Sequence, residues 1–159
     1  MKAKLGPLVY SFFSDFLQVQ RGLRPASVKS YRDGLRLFLC FVADNAGRRI
    51  SRLRLQDLTA ARVRAFLRYL EEERQNHVRT RNQRLAVLHT FFDYLGRRVP
   101  EMLFVAEQVA LIPTKRATRP ETRFLTREEM QTLFTKLPAH GSLAERDRTL
   151  LLFLYNTGA

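Results

Sequence analysis

Apolar residues recur every three or four positions along most of this chain, which is the spacing of helices with one buried face. The second such segment follows Pro25-Ala26-Ser27, where Ser27 is predicted as the N-cap and Gly47 as the stop. Gly96 is predicted to end the fourth. No alternation of apolar and polar residues, the pattern of a β-strand, appears before the end of the chain. The pattern therefore predicts an all-α fold.

Three of the predicted helices have a clear apolar row. The second predicted helix lies between residues 27 and 46, the third follows a short extended piece at 49–55, and the fourth covers 78–95. The residues predicted to be buried are Val28, Tyr31, Leu35, Phe38, Leu39 and Val42 in the second helix, Val63, Phe66, Leu67 and Leu70 in the third, and Leu85, Leu88, Phe92 and Leu95 in the fourth.

The helical spacing is interrupted between residues 111 and 123, where two prolines and four basic residues accompany one acidic residue. Such a segment is typical of a linker. Thr126 followed three residues later by Glu129 is a capping box, which predicts that a new helix begins there. We therefore predict a helical bundle of four to five helices over 1–110, a basic linker over 111–123, and two helices of an incomplete second domain over 124–159.

The net charge narrows the choice of partner. The chain carries 28 Lys and Arg against 15 Asp and Glu, a formal charge of +13. Nucleic acid is the first candidate for a polyanionic partner and an anionic membrane surface is the second. Arginine greatly outnumbers lysine, and its bidentate contacts with phosphate and guanine favour nucleic acid. The alternative is a soluble basic protein with no such partner.

Basic residues are concentrated on the second and fourth predicted helices. In the second helix they follow the buried row by one residue, which places them about 100° around the helix as a ridge. The first half of the fourth helix is also rich in arginine. The arginines of the third helix, Arg62, Arg64 and Arg68, and the acidic run 71–73 that ends it are interpreted as solvated surface.

The residue types that carry catalysis or bind metals do not occur here in suitable patterns. His77, His89 and His140 are far apart and lack Cys or carboxylate partners at ligand spacing. There is no glycine-rich phosphate loop and no serine in a nucleophile elbow. Cys40 is the only cysteine, which fits a core thiol in a reducing cytoplasm. We expect no metal, no cofactor, no signal peptide and no membrane span.

Four motifs occur in a familiar order. The second helix contains SVKSY at 27–31 and the fourth RLAVLHTFFDYL at 84–95. After the linker come FLTREE at 124–129 and RDRTLLLFLYNTGA at 146–159. Together they resemble the tyrosine recombinase (phage integrase) family over essentially the whole chain, and the last two motifs are the more specific. The resemblance implies a helical core-binding (SAM-like) domain joined to a catalytic domain.

The resemblance also implies a chemistry. Full-length members break and rejoin DNA strands with a tyrosine that attacks a phosphodiester, while two arginines neutralise the transition state. In the family the helix ending in Thr-Gly-Ala precedes the first catalytic arginine, so the catalytic residues are expected beyond Ala159, and no tyrosine here matches the nucleophile's motif. We expect a catalytically inactive DNA-binding portion. The family would assemble as a tetramer on paired sites, which is not expected of this portion alone.

In the family the second and fourth helices of the core-binding domain face double-stranded DNA and the linker crosses it. The basic ridges lie on the same two helices. Most contacts are expected to go to phosphates, with Ser and Thr hydroxyls near helix N-termini also donating. The candidate DNA-binding residues are Ser27, Lys29, Ser30, Arg32, Arg36, Arg79, Thr80, Arg81, Arg84, Lys115, Arg116 and Arg119.

Two other interpretations stay open at this point. The chain could be a complete small helical regulator or architectural factor that binds DNA or structured RNA, or it could pair with a separately encoded catalytic half. The last helix bears on this choice, because its apolar residues at 150–154 lack an evident covering partner in the sequence. We expect an exposed apolar surface there.

Overall fold

The computed structural model describes residues 4–118, 124–138, 141 and 143–158. In these ranges every regular element is a helix, which confirms the all-α fold. The chain divides into two compact units, the first ending at Ala117 and the second beginning at Thr118. That division falls inside the predicted linker, while the assignment of 111–123 as a functional linker stays a prediction.

In its described residues the first unit consists of five α-helices, one π-helical stretch and three 3₁₀ turns. Helix α1 (Leu5–Ser11) continues directly into a π-helical stretch, Phe12–Gln20, instead of ending as a regular α-helix. The predicted extended piece at 49–55 is wrong, because that part of the chain forms two short 3₁₀ turns. The other elements are α2 (Pro25–Asn45), the 3₁₀ turns Ile50–Arg52 and Leu55–Asp57, α3 (Ala60–Glu72), α4 (Val78–Arg98), the 3₁₀ turn Pro100–Met102 and α5 (Leu103–Ala110).

Aromatic side chains fill the core of the first unit. Phe38 of α2 meets Phe66 of α3 edge to face, with ring centroids 5.4 Å apart, and Phe12 meets Phe91 of α4 at 5.1 Å. The predicted rows of α3 and α4 are fully buried, and so is that of α2 from Leu35 onward. Only the first turns of α2 depart from the prediction, since Val28 and Tyr31 are half-buried. Periodicity therefore identified the faces that form the core.

The N-terminus of α2 differs from the prediction. The helix begins at Pro25 and Arg24 takes the N-cap position, so Ser27 lies within the first turn and the predicted N-cap is wrong. Proline at the first helical position has a suitable φ and lacks only an N–H that would have no helical partner. Gly47 lies just beyond the end of α2 at φ +57°, a left-handed conformation that glycine adopts readily.

The sequence predicted that α4 ends at Gly96, but the helix continues to Arg98. A Cβ atom at Gly96 would lie 2.8 Å from the Cβ of Ala106 on α5. Glycine is therefore required for the close approach of two helices and not for a turn. The helix stops where Val99 becomes extended (φ −132°, ψ 103°), as expected of a residue that precedes proline.

The second unit contains α6 (Arg127–Lys136) and α7 (Ala144–Thr157). The predicted capping box is present: Thr126 Oγ1 accepts from the Glu129 N–H at 3.2 Å, and the Thr126 N–H donates to Glu129 Oε2 at 2.8 Å. On α7, Leu150 is 53% exposed and Phe153 59% exposed, and Leu152 and Leu154 are exposed as well. The expected exposed apolar surface is therefore present on this helix.

Candidate nucleic-acid interface

Helices α2 and α4 lie against each other where both are rich in basic residues. A Cβ atom at Gly34 of α2 would lie 3.3 Å from both Cγ atoms of Val87 and 3.4 Å from the Cδ of Arg84 on α4. The absence of a side chain at Gly34 lets the two helices approach, and it lets the stem of Arg84 lie across α2. The packing places the two predicted basic segments side by side.

Ser30 joins the two segments. Its hydroxyl accepts a hydrogen bond from Gln83 Nε2 at 3.1 Å, and its carbonyl oxygen accepts from Arg84 Nη1 at a long 3.5 Å. The buried Nε of Arg84 has no hydrogen-bond partner within the described part of the chain. Because this Nε is shielded from solvent, any donor that Arg84 offers to a binding partner lies on its Nη atoms.

Four cations on these two helices are open to solvent. Lys29, Arg32 and Arg36 on α2 and Arg79 on α4 are all exposed. Within the described ranges none of the four has a carboxylate within ion-pair distance. Cations without such partners attract polyanions most strongly, and we define these four residues as the exposed basic set. Of the predicted hydroxyl donors, Ser27 is exposed and Thr80 is half-buried.

Arg81 does not lie on the solvated ridge where the sequence placed it. It is only 6% exposed, and its Nη1 donates to the carbonyl of Pro113 and to Asn82 Oδ1, both at 3.1 Å. The segment after α5 passes over this part of α4 and covers the side chain. The helical pattern could not reveal this cover, because the covering residues are about thirty positions away in sequence.

Lys115 is likewise engaged within the chain. Its Nζ contacts Glu71 Oε1 at 2.8 Å and Oε2 at 2.9 Å, while its backbone N–H and carbonyl are hydrogen-bonded to the side chain of Asn82. The interpretation of 71–73 as solvated surface is therefore wrong for Glu71, which is ion-paired and mostly shielded. Arg116 is exposed, and Arg119 lies outside the described residues.

A third group of charges lies at the start of α3, around Asp57. Its Oδ2 accepts from the backbone N–H of Arg54 at 2.8 Å and lies 3.5 Å from Arg48 Nη1, and its Oδ1 lies 3.3 Å from Arg62 Nη1. The Arg54 hydrogen bond first, and then Arg62 and Arg48, lower the pKa of Asp57 against the opposing effect of burial. Arg62 was interpreted as solvated, which is wrong, because it anchors α3 to the preceding turn.

Residues 11–99, more than half of the chain, match the family model described as the N-terminal SAM-like domain of phage integrases. This chain belongs to the phage integrase (tyrosine recombinase) family. The matched residues include the whole of α2, α3 and α4, and therefore both helices that carry the exposed basic set.

Curated proteins related to this integrase-family chain carry consistent names. A protein named as the integrase/recombinase y4rD of Sinorhizobium fredii is 40% identical over 155 residues, which is 98% of this chain and 55% of that protein. Tyrosine recombinase XerC of Oceanobacillus iheyensis is 28% identical over 92% of this chain and 45% of its own length. Tyrosine recombinase XerD of Shewanella oneidensis is 29% identical over 96% and 47%. No solved structure gives a significant match.

The chain thus spans about half the length of the curated relatives it matches. Within the described residues of this integrase-family chain, no group of three or more His, Cys, Asp or Glu side chains could hold a metal ion. In the same ranges no helix is both long enough and apolar enough to cross a membrane.

The sequence patterns did not identify two residues of α4 that bind distant parts of the chain. Asn82 and Gln83 stand between the predicted arginines of α4, and each binds a residue more than thirty positions away. An amide side chain within a basic run offers no pattern that would single it out. Their position beside Arg81 and Arg84 is the one feature that could have drawn attention to them.

Proposed function

We propose that residues 1–159 are the DNA-binding portion of a site-specific tyrosine recombinase that acts in DNA recombination and in the integration of mobile DNA. The portion binds double-stranded DNA and does not itself cleave it. Membership of the phage integrase family and the net charge of +13 support this proposal. The strand-cleaving groups of the full-length protein are assigned to sequence outside these residues.

The observation that carries the proposal is the exposed basic set on α2 and α4. Lys29, Arg32, Arg36 and Arg79 lie on two helices in direct contact, and none has an acidic partner in the described part of the chain. Phosphate contacts of this kind supply affinity and set position, and they do not require catalytic residues. Ser27, Ser30, Thr80 and Arg84 are proposed to add donors at the junction.

The remaining candidate residues are expected to contribute unequally to the affinity for DNA. Arg116 and Arg119 are proposed to continue the phosphate contacts along the linker. Arg81 and Lys115 stay candidates, but each must first give up partners within the chain before it can bind a phosphate. Breaking such contacts costs free energy, so these two residues are expected to contribute least to affinity.

The proposal is tested by measuring affinity for duplex DNA as a function of salt by fluorescence anisotropy. Arg32→Ala combined with Arg79→Ala should weaken binding and reduce the slope of log K against log salt by about 1.8, because each phosphate contact contributes about 0.9. The matched control is Arg64→Ala combined with Arg68→Ala, which removes the same charge from exposed positions of α3. An equal loss in both variants would contradict binding through α2 and α4.

A second assay separates binding from chemistry and from the other proposed class. A nicked duplex that traps covalent phosphotyrosyl adducts should yield no adduct with residues 1–159. An adduct would show that these residues contain a strand-cleaving tyrosine and would overturn this part of the proposal. Structured RNA should compete less well than duplex DNA at the same salt concentration. Equal competition would favour a regulatory or architectural protein that binds DNA or RNA.

A further inference from the structure

The segment that follows α5 is fastened to the N-terminal end of α4 at successive points. Ile112 is 5% exposed and belongs to the hydrophobic core, which fixes the path of the chain on leaving α5. The next residue, Pro113, gives its carbonyl oxygen to Arg81 Nη1 at 3.1 Å. Two residues later Lys115 is bound at both its backbone and its side chain.

Asn82 makes the most specific of these contacts. Its Nδ2 donates to the carbonyl oxygen of Lys115 at 2.7 Å, and its Oδ1 accepts from the N–H of Lys115 at 3.1 Å. The side-chain amide thus pairs with both backbone groups of one residue, as a neighbouring β-strand would. Oδ1 also accepts from Arg81 Nη1 at 3.1 Å, which links the two adjacent residues of α4.

Charge strengthens the attachment. Arg81 is a buried cation whose Nη1 has two acceptors, while its buried Nε has no hydrogen-bond partner in the described part of the chain. Burying a charge is costly, so each acceptor that Arg81 does have matters to the fold. The Pro113 carbonyl supplies one acceptor only while the segment stays in place. At the other side Glu71, at the end of α3, holds the ammonium group of Lys115 with both carboxylate oxygens. Helices α3 and α4 therefore both hold Lys115, and α4 also holds Pro113.

We propose that Arg81, Asn82 and Glu71 are positioning residues that clamp residues 113–115, so that the basic segment from Arg116 onward leaves from a fixed point beside α4. The clamp is a property of the free protein, and only its consequence for DNA rests on the proposed function. A segment held in place loses less conformational freedom when it binds, so it adds more to affinity than an equally charged flexible one.

Amide hydrogen exchange, followed by NMR in the free protein, tests the clamp directly. Asn82→Ala should accelerate exchange of the Lys115 amide by about tenfold or more, because its acceptor is removed. Gln83→Ala is the matched control: it removes a neighbouring amide that binds Ser30 and should leave Lys115 unchanged. Unaltered protection of Lys115 in Asn82→Ala, with the core amide of Leu88 also unaltered, would overturn the proposal.

A conservative variant separates positioning from general loss of structure. Asn82→Asp keeps an acceptor for the Lys115 N–H but replaces the donor to the Lys115 carbonyl by an oxygen, so protection should lie between that of the unsubstituted protein and that of Asn82→Ala. Loss of protection in the Asp variant equal to that in the Ala variant would overturn the role of Oδ1. If Asn82→Ala fails to fold, Glu71→Gln replaces it and should accelerate Lys115 exchange by about twofold to threefold, while no change would count against the clamp.

The consequence for DNA is tested by a double-variant cycle on duplex binding. Arg116→Ala should weaken binding by about threefold in the intact protein and by clearly less in the Asn82→Ala background. An equal effect of Arg116→Ala in both backgrounds would overturn the positioning role. If no variant binds duplex DNA, the proposed function fails, while the amide-exchange result still decides whether the clamp exists.

Discussion

The exposed basic set on α2 and α4 differs from Arg81 and Lys115 in what its members contact. On α2, Lys29, Arg32 and Arg36 are exposed and have no acidic partner in the described ranges. Near α4, Arg81 is buried against the Pro113 carbonyl and Lys115 is paired with Glu71. The same residue types, in similarly basic stretches of sequence, thus have different surroundings.

The difference separates charge that can bind a partner from charge that holds the chain together. A solvated cation exchanges its loosely held counterions for a phosphate at little cost to the fold. A cation that already binds a backbone carbonyl or a carboxylate must break those contacts first. We therefore expect substitutions on α2 to affect affinity, and substitutions at Arg81 or Asp57 to affect stability.

The largest expected effect is at Arg81. Arg81→Ala should lower the free energy of unfolding by about 2–4 kcal/mol, because the change removes a buried stem and leaves the Pro113 carbonyl without its donor. Urea denaturation followed by circular dichroism measures this difference. Arg32→Ala is the matched control and should change stability by less than about 0.5 kcal/mol. Equal stability of the two variants would remove the distinction between the two regions.

A smaller effect is expected at Asp57, whose carboxylate holds Arg48 and Arg62. Asp57→Asn should destabilise the protein by about 1 kcal/mol at neutral pH. The pKa of Asp57 is lowered in the folded state, so its contribution is present above the unfolded-state pKa of about 3.9 and is lost as the pH falls through the lower folded-state pKa.

Stability of the two proteins should therefore converge as the solution is acidified below about pH 4. Urea titrations at several pH values check this convergence. The contrary result is that the free energies of unfolding of the unsubstituted protein and of Asp57→Asn differ by the same amount at the lowest pH as at neutral pH. That result would show that the ionised carboxylate is not the stabilising species.

The smallest effect is expected at Lys115. Lys115→Ala should change affinity for duplex DNA by less than about twofold at moderate salt, because its ammonium group is already neutralised by Glu71. Arg79→Ala removes one charge from an exposed position of α4 and serves as the comparison, with an expected loss several times larger. A larger loss at Lys115 than at Arg79 would place the linker, and not α4, at the centre of binding.

Local patterns in the sequence predicted local structure well. The capping box at Thr126 and Glu129 depends on residues three apart, and it forms as predicted. The buried rows of α3 and α4 depend on helical spacing alone, and they too are confirmed. The family resemblance, carried by short motifs, is likewise confirmed.

Features that depend on distant residues could not be predicted in this way. Gly96 has the sequence context of a helix stop, but its role is set by Ala106 on another helix. The helical pattern predicted that Arg81 and Glu71 are surface residues. Their partners lie in the segment 113–115, which contacts α3 and α4 only in the folded protein. The helices and charges of the candidate interface could thus be predicted from the sequence. The three-dimensional structure was needed to tell which of these charges are exposed and which contact other groups of the chain.

Duplex DNA is proposed to bind the surface formed by α2 and α4. The most direct test of this proposal is a titration of the isotope-labelled protein with a short DNA duplex, followed by amide chemical-shift changes in NMR spectra. The largest changes are expected at residues 27–36 and 79–84. Changes concentrated on the α3 positions 61–68, with α2 unaffected, would contradict the proposal.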